Sequence, residues 1–590
     1  MWPAFGVAKH LVQHLDLDSC MDAIKLWIRE CTDSHDRCKS HSPKALPARL
    51  LDVMAGVDLI KLVETKRIAT QEPRSYTALS HCWGNPKDLL TTTKATRRRK
   101  LNGILLEELP QTFLDAVLIT RKLGVQYLWI DALCIVQDET LDWEAQSAKM
   151  ADIYSGSYLT ISALHSPNPR GGCFSPRWTQ HSTSFPWRWS LHSHEIPNES
   201  PRISPTVFVR FALSIVHNQF FRGGNRFGDV RDTSPLLRRG WVFQERLLSP
   251  RILHFHSEEL VWECNTCTWC ECEGFRGLDK MDLQLGYVNR QGYDDQYERI
   301  KKLFTSIPRD GASELDCADF WLDIVSEFSK LTLTYSTDGL PALSGLASRL
   351  SPQMDGPYFA GLWRGDIIRS LTWELWFPYP EFTQRIQPYC APTWSWASIN
   401  TWAIGEGETR IKLYISYDLV RGKGFTPDSR VKLQDFSYSS SGVNRFGTAS
   451  KAVLSIQGLC IEVKKSSTYW YQQSGFEDGV DKRKVLTVQY RGDENVVNCD
   501  VTSDGANSWE DCQVYCFLLG STIKKALSLQ ELMLWHNDMS RQRHEDMFDV
   551  ALVLQKMKEN PIICERIGIV RLLKRSNWFE GARLDTMYIR

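Results

Sequence analysis

Residues 125–138 read VQYLWIDALCIVQD. Leu128, Trp129, Ile130, Ala132, Leu133, Cys134, Ile135 and Val136 make a near-continuous apolar run, broken by Asp131. Alternation is weak, so both faces of the segment are covered, as in a central strand of a mostly parallel sheet. The spacing predicts one strand over 125–136. Asp131 is the exception, because a carboxylate inside such a strand must be paired, hydrogen-bonded or at an open strand end. Two readings stand side by side. Asp131 ties down a loop or a helix end, or it marks a site at the carboxyl end of the sheet.

The flanking segments supply a frame for that strand. YTALSH, 76–81, reads as the first core strand, and Gly84 after Cys82-Trp83 allows a sharp exit from the sheet. The basic connection with Lys94 and Arg97 to Lys100 reads as a solvated face, with contact to phosphates as the alternative. Pro110 suits the first turn of a helix carrying Phe113, Ala116, Val117 and Thr120 on one face, and the pattern stops at Gly124. A second helix is expected over 142–155, with Asp142 as N-cap and Trp143, Gln146, Ser147, Met150, Ile153 and Tyr154 on one face. SYLTISAL, 157–164, is the third strand. Strand, helix, strand, helix, strand implies parallel pairing of neighbouring or near-neighbouring strands. Asp131 should then lie near the carboxyl end of its strand, close to Trp83 or to the start of the Asp142 helix.

The whole chain has 590 residues, enough for several domains. It is 43% hydrophobic and 24% charged, and Lys+Arg and Asp+Glu balance at 70 each. That balance gives no global pull toward nucleic acid or an anionic membrane. Its 22 tryptophans point to aromatic-heavy cores. The 17 cysteines are odd in number and scattered through apolar runs, which fits reduced thiols in a cytoplasmic protein. The first twenty residues lack the layout of a signal peptide, and no apolar run reaches membrane-spanning length. There is no P-loop and no tandem repeat.

Farther out, residues 1–70 form a lead segment. AIKLWIREC, 23–31, carries a helical stripe, and LPARLLDV, 46–53, reads as an extended lead-in. Cys31, His35 and Cys38 suggest zinc, but no fourth ligand lies nearby in the sequence, so packing is the reading. Residues 165–235 are an irregular insertion, with a strand over 208–216. In GWVFQER, 240–246, Gln244, Glu245 and Arg246 read either as an ion-paired helix start or as a pocket wall with Arg246 facing a phosphate. Cys264, Cys267, Cys270 and Cys272 are dense. Two thiolates with one residue between them strain a single tetrahedral zinc, so these read as reduced structural thiols and no metal is assigned.

Residues 247–400 form a mixed, Trp-rich extension packed on the core. Helices are expected over 320–331 and 340–350, with a further one within 361–376, and the tryptophans build a shared aromatic core. Residues 401–590 are β-rich. Short strands are expected over 411–417, 432–436, 452–463, 484–490, 514–519, 548–554 and 565–572, with loops at 439–442 and 492–507 and a helix over 527–535.

Several of these segments match a known family in order. YTALSHCWG at 76–84 resembles the opening signature of fungal heterokaryon incompatibility (HET) domains. LPQTFLDA at 109–116, Leu123-Gly124, YLWIDALCI at 127–135 with Gln137-Asp138, and Asp142-Trp143 through Tyr154 resemble the middle of that domain. RGWVFQERLLSPR at 239–251 resembles its close, and the likeness continues through LVWEC, LPALSGL, GLW and PTWSWAS to about residue 400. The resemblance sets a HET domain over 76–246 and implies a role in fungal nonself recognition, in which a mixed cell dies after incompatible hyphae fuse. It implies self-association, or engagement of another incompatibility protein, as the mode of partnership, with no nucleic acid and no membrane span.

HET domains distantly resemble TIR domains. The implied fold class is α/β, a TIR-like or flavodoxin-like parallel sheet core with insertions, followed by the β-rich C-terminal region. Some TIR domains cleave NAD, so the resemblance admits NAD as a substrate, with no cofactor certain. In those enzymes a Glu follows a Trp on a helix. Here the residue three after Trp143 is Gln146, which can hydrogen-bond a ribose hydroxyl but supplies no negative charge. Glu144 is the nearest carboxylate on that helix and points away from Gln146, about 200° around.

The candidate catalytic residues are accordingly Asp131, Glu144 and Gln146. Candidate ligand-binding residues are Ser80, Trp83, Gly84, Asp138, Trp143 and Arg246. A pocket would lie at the carboxyl ends of the strands, with Ser80 to Gly84 on one side and Asp131 to Asp138 as its floor. The first turn of the Asp142 helix would form another side, with free N–H groups for a phosphate.

Overall fold

Asp16 caps the first helix. Its carboxylate accepts from Ser19 N while its own N–H donates to the Ser19 hydroxyl, a reciprocal cap on helix α1 (Leu17–Ser34). One stripe of α1, with Cys20, Met21, Ile24, Trp27, Ile28 and Cys31, is buried. The computed structural model describes residues 11, 15–39, 46–67, 75–174, 177, 183–186, 206–209, 234–273, 300–301, 303–305, 314–376, 383–400, 402–404, 410–412, 414–417, 424–473, 480–499, 512–523, 547–559 and 562–590. The chain divides into two compact units, Met1–Pro308 and Arg309–Arg590. The division falls inside the Trp-rich extension that the sequence reading kept whole.

In the first unit, a short helix α2 (Asp36–Lys39) follows α1. Strands β1 (Arg49–Asp52) and β2 (Leu59–Glu64) come next, so the lead segment contributes strands to the sheet. The chain continues through β3 (Tyr76–Ser80), helix α3 (Lys94–Asn102), β4 (Ile104–Leu105), α4 (Gln111–Lys122) and β5 (Tyr127–Trp129). After these come α5 (Asp131–Cys134), α6 (Thr140–Ser147), α7 (Met150–Ser155) and β6 (Leu159–Ser162). The insertion holds an antiparallel pair, β7 (Thr183–Pro186) and β8 (Thr206–Val209). The strand expected over 208–216 thus begins earlier, and its residues 210–216 lie outside the described residues. Helix α8 (Gly240–Leu248) and strands β9 (Arg251–Phe255), β10 (Leu260–Cys264) and β11 (Thr268–Cys270) complete the set.

Nine of these strands form one sheet in the order β11-β10-β9-β6-β3-β5-β1-β2-β4. β3 pairs in parallel with both β5 and β6, and β6 pairs in parallel with β9. The two neighbours of β3 are those expected from the strand and helix order, and β9 is a further parallel strand. Every residue of the four parallel strands is buried, as in a sheet covered on both faces, including the polar Thr77, Ser80, Thr160, Ser162, Arg251 and His254. In chain order they lie second, first, third, fourth, as flavodoxin-like doubly wound sheets begin. The sheet is nevertheless mixed, not all-parallel. β1, β2 and β4 add antiparallel strands beyond β5, and β10 and β11 add them beyond β9.

Three local expectations are corrected. The single strand over 125–136 is a three-residue strand followed by α5. Cys134 N donates to Ile130 O at 2.7 Å and Ile135 N to Asp131 O at 3.1 Å, closing a helical turn. Ala132, Leu133 and Cys134 are buried all the same, and an unbroken apolar run does not distinguish a strand from a buried helical turn. The basic connection is helix α3, capped reciprocally by Thr93 and Thr96. Lys94, Arg98 and Arg99 are exposed, as a solvated face requires, while Arg97 pairs with Glu64, Arg99 with Glu108, and buried Lys100 donates to Thr91 O. The helix expected over 142–155 is two helices broken at Ala148-Lys149, and its N-cap is Glu139, with Asp142 inside the first turn.

In the second unit, α9 (Glu314–Ser329) and α10 (Gly339–Leu350) occupy the helical segments expected there. The segment 361–376 holds only a four-residue helix, α11 (Ile367–Ser370). Its tryptophans pack against one another: Trp321 and Trp363 meet edge-on at 5.9 Å, and Trp373 Nε1 donates to Trp394 O at 2.9 Å. A ten-stranded sheet, antiparallel except where Ile563–Leu573 meets Arg583–Ile589, contains the strands read from 432 onward. The loop expected at 492–507 carries short strands at Asp493–Val496 and Asn498–Cys499, and its remainder from 500 lies outside the described residues. The helix over 527–535 lies outside them too. No helix among the described residues is long and apolar enough to cross a membrane.

Candidate functional site

β3 lies between β5 and β6, so strand order reverses there and a crevice is expected outside the carboxyl ends. Ser80 ends β3 and is buried, and its hydroxyl donates to Glu245 Oε2 at 2.5 Å. Glu245 sits on α8, fully buried, beside Arg239 and Tyr154. Burial pushes its carboxyl up to about 7, against the opposing pull of Ser80 and Arg239. Burial also raises the Tyr154 phenol well above its ordinary value, and that hydroxyl donates to Leu79 O at 3.3 Å.

His81 follows Ser80 and is buried as well. Its Nδ1 is 3.7 Å from Asp131 Oδ1, and its ring meets Phe113 edge-on at 5.0 Å. Its Nε2 is buried with no hydrogen-bond partner among the described residues. Desolvation lowers the imidazole to about 4, so the ring is neutral at physiological pH. Arg239 donates to the His81 carbonyl, linking the segment before α8 to the exit of β3.

Asp131 lies just past the carboxyl end of β5 and close to Trp83, as expected. Trp83 Nε1 donates to its Oδ2 at 2.8 Å, and Ala132 N to its Oδ1 at 2.7 Å. Both earlier readings therefore meet in one residue: Asp131 starts a helical turn, and it sits at the carboxyl end of the sheet. Gly84 turns the chain out of the sheet with φ +59°, and a Cβ there would lie 2.5 Å from Asn168 Cβ.

The other candidates are not joined to this cluster by any hydrogen bond among the described residues. Asp138 is exposed and accepts from Lys94 N at 2.7 Å, which ties it to the start of α3. Asp142 accepts from Val136 N at 2.8 Å and pairs with Arg49, whose Nε donates to Cys134 O at 2.6 Å. The first turn of α6 thus carries a carboxylate, bonded to Val136 N and Arg49, beside the N–H groups proposed for a phosphate. Trp143 meets Trp241 edge-on at 6.4 Å. Glu144 is half-buried, and Gln146 is buried on α6.

Arg246 has the ion-paired role. Its Nε donates to Glu263 Oε2 at 2.7 Å, and Lys301 and His254 reach the same carboxylate at 2.6 and 3.0 Å. Arg246 and Lys301, with the hydrogen bond from His254, hold Glu263 well below the ordinary carboxylate range despite its burial.

The structure thus joins Ser80, Trp83 and Asp131 at one end of the sheet and adds His81, Glu245, Tyr154 and Arg239. His81 lay within the Ser80–Gly84 side of the expected pocket and Glu245 within its possible wall, whereas Tyr154 and Arg239 were not singled out as site residues. Ser80 and Glu245 are 165 residues apart, and only the recurrence of both in quoted signatures hinted at a meeting. A carboxyl titrating near neutrality beside a hydroxyl can exchange a proton, which is the chemistry this arrangement offers. A cavity in the second unit, lined by Phe328, Leu331, Leu333, Trp396 and Ile415 among others, has no titratable side chain in its lining.

Residues 76–245 match the family described as Heterokaryon incompatibility protein (HET). The match runs from the first residue of β3 to Glu245, so the parallel strands β3, β5 and β6 and the cluster at their ends lie within it. No curated protein and no solved structure matches the chain.

Proposed function

With a heterokaryon incompatibility domain over 76–245 as the premise, we propose that this chain acts in fungal nonself recognition. Its HET domain works in the cytoplasm as a signalling module that assembles with itself, or with another incompatibility protein, and sets off regulated cell death. The family match carries this reading. The start of α6 gives phosphate binding little support, because Asp142 places a carboxylate in its first turn.

One observation favours a second reading, cleavage of NAD or a related nucleotide. Glu245, with its carboxyl near 7 and its bond to Ser80, could replace the glutamate that Gln146 displaces on α6.

The test is a concentration series of the full chain incubated with NAD, following nicotinamide release and particle mass by light scattering together. Assembly that grows with concentration, without nicotinamide release, supports the signalling module. Release proportional to protein, abolished in Glu245→Gln, would move the assignment to NAD cleavage.

A further inference from the structure

Two cysteine-rich segments that are incomplete by themselves meet in the first unit. α1 ends at His35, with Cys31 one turn before it and Cys38 in α2 just after. Trp27 on α1 packs against Trp262 on β10 at 6.4 Å, which brings the α1–α2 corner to the end of β10 at Cys264. Two further bonds fasten the corner: Arg251 Nη2 donates to Cys38 O at 2.8 Å, and Asn265 Nδ2 to Arg37 O at 3.4 Å.

One ligand atom from each of Cys31, His35, Cys38 and Cys264 lies within 4.8 Å of all the others. The three thiols are buried, and His35 is half-buried. His35 Nδ1 is 3.4 Å from Cys264 Sγ. A tetrahedral zinc with ordinary bond lengths has S···N edges of about 3.6 Å and S···S edges of about 3.8 Å. The cluster therefore needs only a small contraction to close on one ion.

Its surroundings suit that ion. Thr266 N and Cys267 N both donate to Cys264 Sγ at 3.4 Å, which favours a thiolate there. Cys267 Sγ lies 3.9 Å from His35 Nε2, the ring nitrogen left over when Nδ1 is a ligand, and can accept its N–H. The neighbouring group Glu259, Cys270 and Cys272 has three donors, and Glu259 already accepts from Cys272 N at 2.8 Å.

We propose that Cys31, His35, Cys38 and Cys264 bind one zinc ion in a closed tetrahedral site. Four protein ligands leave no position for water or substrate, so the ion is structural. The three thiols lose their protons to solvent as the ion binds. The ion then clamps the N-terminal helices to the β10–β11 hairpin, across more than two hundred residues of chain. This site is separate from the cluster around Glu245, and the proposal does not depend on the function assigned above.

The experiment is metal analysis of the full chain, purified under reducing conditions without chelator, followed by replacement with cobalt. One zinc per chain is expected, together with a cobalt spectrum that has tetrahedral bands and thiolate charge transfer. Cys38→Ser and Cys264→Ser should lose the metal, whereas Cys267→Ser and Cys272→Ser should keep it. If the ligand variants fail to fold, wild-type protein decides: chelation should lower its melting temperature by several degrees, and added zinc should restore it. Protein without zinc that also gives no cobalt charge transfer would overturn the proposal. So would loss of metal in Cys272→Ser with retention in Cys38→Ser.

Discussion

Replacing Glu245 by glutamine should change how the stability of the first unit depends on pH. In the folded chain the Glu245 carboxyl sits at about 7 against an ordinary value of 4.5, because burial disfavours its charge more than Ser80 and Arg239 favour it. The folded state therefore holds this proton more tightly than the unfolded state does. No penalty exists below the unfolded value. It grows as pH rises through the window from 4.5 to about 7 and is constant above it. The full difference amounts to about 3 kcal/mol, of which about 2–3 kcal/mol falls between roughly pH 5 and 8. His81 and His254, both lowered to about 4 by burial, act in the opposite sense. Their contribution is present above the ordinary histidine value and is lost as pH falls toward 4. Because they are common to both proteins, they cancel in the difference between wild type and variant. The amide introduced by Glu245→Gln would keep an acceptor for the Ser80 hydroxyl but cannot ionise. Urea unfolding of both proteins at a series of pH values should show the variant gaining on wild type by about 2–3 kcal/mol from the acid to the alkaline end. Parallel profiles would mean that Glu245 is ionised in the folded protein at neutral pH, and the proton-exchange chemistry assigned to it would fall.

Gly84→Ala should destabilise by about 1–3 kcal/mol, since the positive φ and the contact with Asn168 both oppose a side chain; thermal unfolding measures it. Trp83→Phe keeps most of the ring but removes the donor to Asp131, at a cost of about 1–3 kcal/mol in the same assay. Arg49→Ala leaves the Asp142 carboxylate without its cation and should cost about 3 kcal/mol, part of which Asp142→Asn in the same chain should recover. Glu263→Gln should likewise destabilise by about 3 kcal/mol, because Arg246 and Lys301 would remain buried beside a neutral amide.

Locally encoded features were legible in the sequence. The helix carrying Phe113, Ala116, Val117 and Thr120 ends where Gly124 adopts φ +73°. The parallel neighbours of β3 follow from the alternation of strands and helices. Asp131 stood out because one charge in an apolar run must be accounted for, and its bonds to Trp83 and Ala132 account for it. Features set by sheet order were hidden. That residues 51–52 would pair with 127–128, turning a parallel core into a mixed sheet, is decided by a long-range contact that no local pattern carries. The choice between the two readings of Glu245, ion pair or pocket wall, was hidden similarly. On its own helix Glu245 is one charge beside Arg246, and only the packing of α8 against the end of β3 turns one toward Ser80 and leaves the other to Glu263.

The cysteines show where local spacing misleads. Cys31, His35 and Cys38 lack a fourth ligand within reach along the chain, while the segment from Cys264 to Cys272 offers four thiols too closely spaced for one tetrahedron. Each set, judged alone, argues against a metal. The fold removes both objections together, because it does not use the second set as a unit. Cys264 joins the first set through Trp27 and Trp262, whereas Cys270 and Cys272 turn toward Glu259 on the other side of the hairpin. A ligand count made along the chain weighs neighbours in sequence. The count that matters weighs neighbours in space, and it becomes available only when Trp27 of α1 is known to pack on Trp262 of β10.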